Sequence, residues 1–216
     1  MKSATLPLGS KTFTFDPVLH RYAINGIPAP GITRILDLTG FITNKEWFTE
    51  ESRQRGKDIH RACWFLAEND LNWDTVRPEY RARVRGFQKF LEDVQPKLIL
   101  VEQPLCSFQF GFCGTPDFVF EVQDVLWCVD VKTGRSGLPA ELQTAAQTIL
   151  IKEMPSPMGM TMIEWLPRVI KRFALELPEN GKYKLIPHRD DVMDTVMFLN
   201  ANAMVHRRIN CGELKL

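Results

Sequence analysis

The sequence predicts a single α/β domain, a central mixed β-sheet with helices on its faces, and three observations carry that reading. At 216 residues and 24.9 kDa the chain is one domain long, enough to bury about 70% of the surface it exposes when unfolded. Short runs in which apolar residues alternate at period two are interleaved with longer stretches whose apolar residues recur at helical spacing. Composition is that of an ordinary globular chain, 44% apolar and 25% charged, without internal repeat, low-complexity tract or linker.

In chain order, Phe13-Thr14-Phe15-Asp16 and His20 to Pro28 read as short strands, and Asn25-Gly26 is a strong two-residue hairpin signal. This N-terminal β-hairpin is followed at Gly31-Ile32-Thr33 by a short helix with Thr33 as candidate N-cap, completing a first segment, 1–44. The central segment, 45–153, carries helices at about 45–69 and 78–94, then strands at about 98–108, 112–122 and 125–132. Pro139 suits the first turn of the next helix, whose apolar stripe is Leu142, Ala145, Ala146, Ile149 and Leu150. The last segment, 154–216, opens with a loop or insertion over Met154–Met162. Within it, Arg172–Leu177 and Lys182–Ile186 flank Pro178-Glu179-Asn180-Gly181 as a second hairpin, and a helix runs over about 190–209.

No apolar run approaches the ~20 residues of a membrane span, and the N-terminus lacks the apolar core of a signal peptide. Cys63, Cys106, Cys113, Cys128 and Cys211 form no Cys-x-x-Cys pair and sit mostly among apolar neighbours, as buried thiols of a reducing compartment do. Both point to a cytoplasmic protein without a membrane partner. The net charge of +1 lacks the basic excess that usually marks a nucleic-acid-binding domain. Charge is uneven, with Arg77, Arg81, Arg83, Arg85 and Lys89 in one run and Arg168, Lys171 and Arg172 in another. Either run could track a phosphate backbone, although a solvated helix face is the commoner reason for one.

The chemistry concentrates between residues 114 and 134. Two apolar runs, Phe118-Val119-Phe120 and Trp127-Cys128-Val129, each adjoin an acid, Asp117 and Asp130, and Lys132 follows the second acid by two positions. Strand side chains alternate faces, so Asp130 and Lys132 share one face and Val129 and Val131 the other. Carboxylates in such surroundings are costly unless a cation neutralises them, so the pattern asks for a metal, and the lysine for an anion beside it. Taken singly, each acid reads as a salt-bridge partner at the sheet rim, and Lys132 as a lysine snorkelling from a strand end. Glu102, an acid within another apolar run, either completes the site or pairs with a nearby base. His60 lies one position off the stripe Ile59, Cys63, Leu66, where a lone histidine is more often packed than ligating; Gly56, one turn earlier, would let another element approach closely.

These residues resemble the PD-(D/E)XK nuclease superfamily, in particular its RecB-like, phage-type exonuclease branch. The resemblance rests on Gly114-x-x-Asp117, on Asp130-x-Lys132-Thr133 thirteen positions after the first acid, on Gln143 in the following helix, and on Arg55-Gly56-Lys57-Asp58-Ile59-His60 upstream. It covers roughly the middle half of the chain. It implies a restriction-endonuclease-like core and a Mg²⁺ or Mn²⁺ ion held by His60, Asp117, Asp130 and the backbone carbonyl of Val131, with Glu102 as a further candidate. Asp117, Asp130, Lys132 and Gln143 are then catalytic, Lys132 beside the attacking water and the phosphate. Arg55, Thr133, Arg135, Gln143 and Gln147 are the expected DNA contacts. The chain departs from the branch's Gln-x-x-x-Tyr pattern, because Gln147 stands four positions after Gln143; the two glutamines share one polar helix edge. Relatives with an iron–sulfur cluster need a C-terminal cysteine group, and only Cys211 lies beyond position 128, so no cluster is expected.

The resemblance thus implies a divalent-metal-dependent DNA exonuclease of recombination, repair or phage DNA processing, in a bacterial or phage-infected cell. A single-strand-annealing protein or helicase would be its natural partner, and a homo-oligomer its natural assembly. Three alternatives stand beside it: a structure-specific or nicking endonuclease, a non-catalytic DNA-binding module of a recombination or packaging complex, and a hydrolase of small phosphodiesters.

Overall fold

The apolar run Val125–Lys132 forms β9, the middle strand of the main sheet, and both of its faces are covered. In the computed structural model, which describes residues 5–8, 11–43, 49–154 and 169–216, that sheet has five strands. Their order is β11 (Lys184–His188), β10 (Ile170–Glu176), β9, β8 (Phe118–Val122), β5 (Lys97–Val101). β9 and β10 run parallel and the other pairs antiparallel, so the sheet is mixed. A parallel pair needs a crossover, and helix α4 (Leu138–Glu153) stands between these two strands in sequence.

Helices α2 (Glu50–Ala67) and α3 (Pro78–Val94) pack on one face of the sheet, where Val129 and Val131 join Ile59, Val84, Phe87 and Phe90. On the other face Leu126 and Cys128 meet α1 (Ile32–Leu38), α4 and α5 (Asp191–Asn210). Burial on both sides is why β9 reads as a nearly continuous apolar run. Local signals agree with the helices: Thr49 caps α2 by accepting from the Ser52 amide, Pro78 opens α3, and Asp190 caps α5 by accepting from the Met193 amide. Two glycines mark close approaches. A Cβ on Gly86 of α3 would lie 2.4 Å from the Lys182 carbonyl oxygen, and one on Gly114 2.4 Å from Ile32 Cδ1. Among the described residues no helix is long and apolar enough to cross a membrane.

Several expected elements are redrawn. The N-terminal hairpin is part of a four-stranded antiparallel meander: β1 (Thr5–Leu8), β2 (Lys11–Asp16), β3 (Arg21–Ile24) and β4 (Ile27–Ala29), with Asn25-Gly26 at the β3–β4 turn. The strand expected over 98–108 stops at Val101, because Glu102 turns into the left-handed region (φ 46°) and Pro104 has no amide to give. Its second part, β6 (Leu105–Ser107), pairs separately with β7 (Phe112–Gly114). Pro116 likewise divides the strand expected over 112–122. Thr33 is not a cap: the N-cap of α1 is Gly31, without a side-chain bond. Residues 45–48 of the expected second helix, and 155–162 of the expected loop, lie outside the described residues.

Candidate active site

The C-terminal ends of β5 and β9 and the N-terminal end of β8 lie together, because β8 runs antiparallel to both. Glu102 follows β5, Asp117 precedes β8, and Asp130, Val131 and Lys132 end β9. The Glu102 amide donates to the Asp117 carbonyl at 3.1 Å, carrying the β5–β8 pairing one step past the strand and fixing where the turn occurs. α2 lays His60 over the same edge. The donor atoms of His60, Glu102 and Asp117 all lie within 4.8 Å of one another, a group able to hold a metal ion.

Hydrogen bonds define the cluster. His60 Nε2 donates to the Val131 carbonyl at 3.0 Å, and its Nδ1 lies 3.5 Å from Asp117 Oδ2 and 3.8 Å from Glu102 Oε1. The Val131 amide donates to Asp117 Oδ2 at 2.7 Å. Burial alone pulls the His60 pKa down, but the charges and hydrogen bonds of Asp117 and Glu102 outweigh it and push it up to about 10. An imidazolium between two carboxylates therefore occupies the place where a cation is wanted. Burial raises Asp117, yet His60, Lys132 and the Val131 amide hold it below the usual carboxylate range.

Asp130 is 0% exposed, and its Oδ1 has no hydrogen-bond partner. Its one close partner is Lys132, with Nζ 2.6 Å from Oδ2. Burial, helped by the Asp117 charge, pushes its pKa up to about 6 against the pull of Lys132. Lys132 in turn donates to Gln143 Oε1 at 3.1 Å, and although burial disfavours its charge, Asp130 and Asp117 raise its pKa. A buried carboxylate oxygen without a partner, Asp130 Oδ1, beside a carboxylate–imidazole–carbonyl cluster is a hard donor of the kind that Mg²⁺ and Mn²⁺ take.

His60, Asp117, Asp130, the Val131 carbonyl, Lys132 and Gln143 are thus brought to one edge; Glu102 falls inside the group able to hold a metal ion, and Asp130 stands beside that group, not within it. Other expectations need correction. Gln147 is 1% exposed and accepts from Cys128 Sγ at 3.3 Å, so it is held against the sheet, where it lines the same cleft as Gln143. Gly56 accommodates no neighbouring element; a Cβ there would meet nothing within 4 Å, because it faces a cleft. Arg55 is half-buried and Arg135 exposed, and neither lines that cleft, while the carbonyl of Thr133 accepts from Arg83 at 2.6 Å.

Three arginines of the two basic runs are spent on the protein itself, and Arg168 lies outside the described residues. Arg83, 7% exposed, donates to the carbonyls of Thr133 and Leu177 and to Glu179, clamping the turn just after Lys132. Arg172, 2% exposed, joins Asp194, Asp191 and the Glu141 carbonyl. Arg81 donates to the carbonyls of Trp73 and Val76. The Arg83 clamp was missed from sequence although one signal marks it: Arg83 lies three residues after Tyr80 and four before Phe87, inside the apolar stripe of α3.

A cleft of roughly 1670 Å³ opens from this edge between the N-terminal sheet and α2, and His60, Glu102, Asp117 and Gln143 lie along it. No protein-family model matches the chain, and no curated protein matches it. Among solved structures, the chain is similar to an alkaline exonuclease, LHK-Exo, from Laribacter hongkongensis, at 13% identity over 86% of this chain and 95% of that one, with a TM-score of 0.30. LHK-Exo in complex with dAMP is similar at 13% identity over 87% and 95% of the two chains, with a TM-score of 0.28.

Proposed function

We propose that the chain is a Mg²⁺- or Mn²⁺-dependent deoxyribonuclease that hydrolyses phosphodiester bonds, acting as an exonuclease. The observation that carries the proposal is the meeting, at one open edge of the sheet, of a His60–Glu102–Asp117 cluster with a buried Asp130–Lys132 ion pair. Glu102, Asp117, Asp130 and the Val131 carbonyl would hold the ion, and His60 would join them once its proton is displaced. The chemistry such an ion supplies when bound is Lewis acidity, which makes water more acidic and offsets phosphate charge. Lys132 stays protonated beside Asp130 and offers its ammonium to the negative charge that grows on a phosphate under attack. Gln143 fixes where that ammonium points by accepting one of its protons. Asp117 orders the strand edge, because the same carboxylate accepts the Val131 amide.

Exonuclease action, a role in recombination, repair or phage DNA processing, and an annealing-protein or helicase partner rest on the motif resemblance alone. One plasmid offered supercoiled, linear and single-stranded, with Mg²⁺, with Mn²⁺ and with EDTA, tests the reading, with Lys132→Ala as control. Metal-dependent loss of the linear form, abolished in Lys132→Ala, is expected. Nicking of the supercoil would replace the exonuclease with an endonuclease. Full activity in Lys132→Ala, or no cleavage of any form, would overturn the catalytic assignment.

A further inference from the structure

We propose that the N-terminal sheet and α2 are the two walls of a binding site for one unpaired polynucleotide strand, which the cleft delivers to the metal cluster. This proposal rests on the nuclease reading above. On one wall β2 and β3 carry an aromatic group: the Phe15 and Tyr22 rings stack at 4.9 Å, and His20 sets its edge against both, at 5.3 and 5.6 Å. On the other wall α2 presents Lys57, His60, Arg61 and Trp64, spaced to share one helix face, with Phe65 stacked on Trp64 at 5.9 Å. All of these side chains line the cleft that also holds Glu102 and Asp117.

The aromatic wall is fixed to the catalytic strands. Tyr22 is buried, and its hydroxyl bonds Thr115 Oγ1 at 3.1 Å, two residues before Asp117. The Cys113 amide donates to the Pro30 carbonyl at 3.0 Å, and Tyr22 packs so closely on Gly31 that a Cβ there would lie 3.1 Å from the ring. The walls also sense each other electrostatically: after burial, the Lys57 charge is the second influence that lowers the His20 pKa.

Charge and ring chemistry select the occupant. Among the described residues no carboxylate pairs with Lys57 or Arg61, and the Arg61 guanidinium lies over the Phe65 ring at 5.6 Å. The Asp16 carboxylate, on the opposite wall, is turned to its own backbone, accepting from the amides of Val18 and Leu19 at 2.8 and 3.0 Å. Cations interleaved with aromatic faces suit a chain of phosphates and bases. In a duplex the base faces are already stacked on their neighbours, so only an unpaired strand can use such rings.

Fluorescence anisotropy in EDTA, with a labelled oligothymidylate and with a blunt duplex, reads this site without cleavage. The wild type should prefer the oligothymidylate. Trp64→Leu should weaken that binding by about 5- to 160-fold, the loss of one stacked base, while Trp64→Phe retains most of it. Removing Lys57 and Arg61 together (Lys57→Ala with Arg61→Ala) should lower the salt slope by about 1.4. Metal-dependent hydrolysis of bis(p-nitrophenyl) phosphate, which needs no strand site, reads the chemistry separately. A duplex preference, or unchanged binding in Trp64→Leu and in His20→Ala on the exposed turn, overturns the strand site even if hydrolysis proceeds. Strand binding that responds to Trp64 in a protein without hydrolysis supports the site and sinks the nuclease reading.

Discussion

Glu102 shows how one residue's backbone decides a site. Its φ of 46° is a conformation that costs a non-glycine residue about 1–2 kcal/mol, and it places the carboxylate toward His60 and Asp117 and away from the strand face. Such strain at a clustered carboxylate fits a functional role better than a packing one. Glu102→Gln keeps the shape and removes the charge, so Mn²⁺ affinity measured by calorimetry should fall at least the ~10-fold that losing a partner of a metal ligand costs. Unchanged affinity would remove Glu102 from the ion's surroundings. Asp117, Asp130 and Lys132 were legible in the sequence because an acid set against an apolar strand run is costly unless a cation meets it. Glu102 was only half legible, since a strand pattern does not reveal a left-handed turn. Gln147 was legible in part: i, i+4 spacing puts it with Gln143, and both line the cleft, but spacing does not say that its carbonyl oxygen is engaged by Cys128.

Between elements, the turn from β9 to α4 decides where Lys132 points. It is held from outside: Arg83 of α3 binds the carbonyls of Thr133 and Leu177, and the Leu177 amide donates to the Lys132 carbonyl at 2.8 Å. Glu176 adds a second hold by accepting from both the amide and the hydroxyl of Ser136. Arg83→Met would fill the same space and strand two carbonyls, at about 1–3 kcal/mol for each acceptor left buried, measurable by urea unfolding. As a positioning residue Arg83 should also set kcat more than KM, and Arg83→Lys, which keeps charge without the fork, should recover only part of both. A variant that loses stability but keeps kcat would make the clamp purely structural. Strand β9 and helices α3 to α5 were legible because their periodicity agrees with their burial, with Pro78 and Pro139 opening α3 and α4. The strands over 98–108 and 112–122 were not, because alternation passes through Pro104 and Pro116 without showing that the chain leaves one sheet for another.

Across the whole molecule, a net charge of +1 and the internal use of Arg83, Arg172 and Arg81 leave little general attraction for a polyanion. Binding then depends on the local cations of the cleft, and stability on the buried networks that tie the layers together. One such network joins α4, β10, β11 and α5. His188 Nδ1 and Thr144 Oγ1 lie 2.8 Å apart, and Arg172 binds Thr144, Glu141, Asp191 and Asp194. Burial is the largest influence on His188, lowering its pKa to about 4; the cations of Arg172 and Lys132 add to it, while Asp194 and Asp191 oppose it. The unfolded chain therefore takes up this proton near pH 6.5 and the folded one only near 4, so stability present above the first value is lost progressively toward the second. Asp130, raised to about 6, contributes the opposite slope over part of the same range, which masks the effect in the wild type alone. That contribution is common to wild type and His188→Asn and cancels in their difference. Thermal melts from pH 7.5 to 4 should therefore show the wild type's advantage over His188→Asn shrinking as pH falls. A constant gap between the two curves would mean that His188 titrates alike in the folded and unfolded chains, and that the network does not hold it neutral.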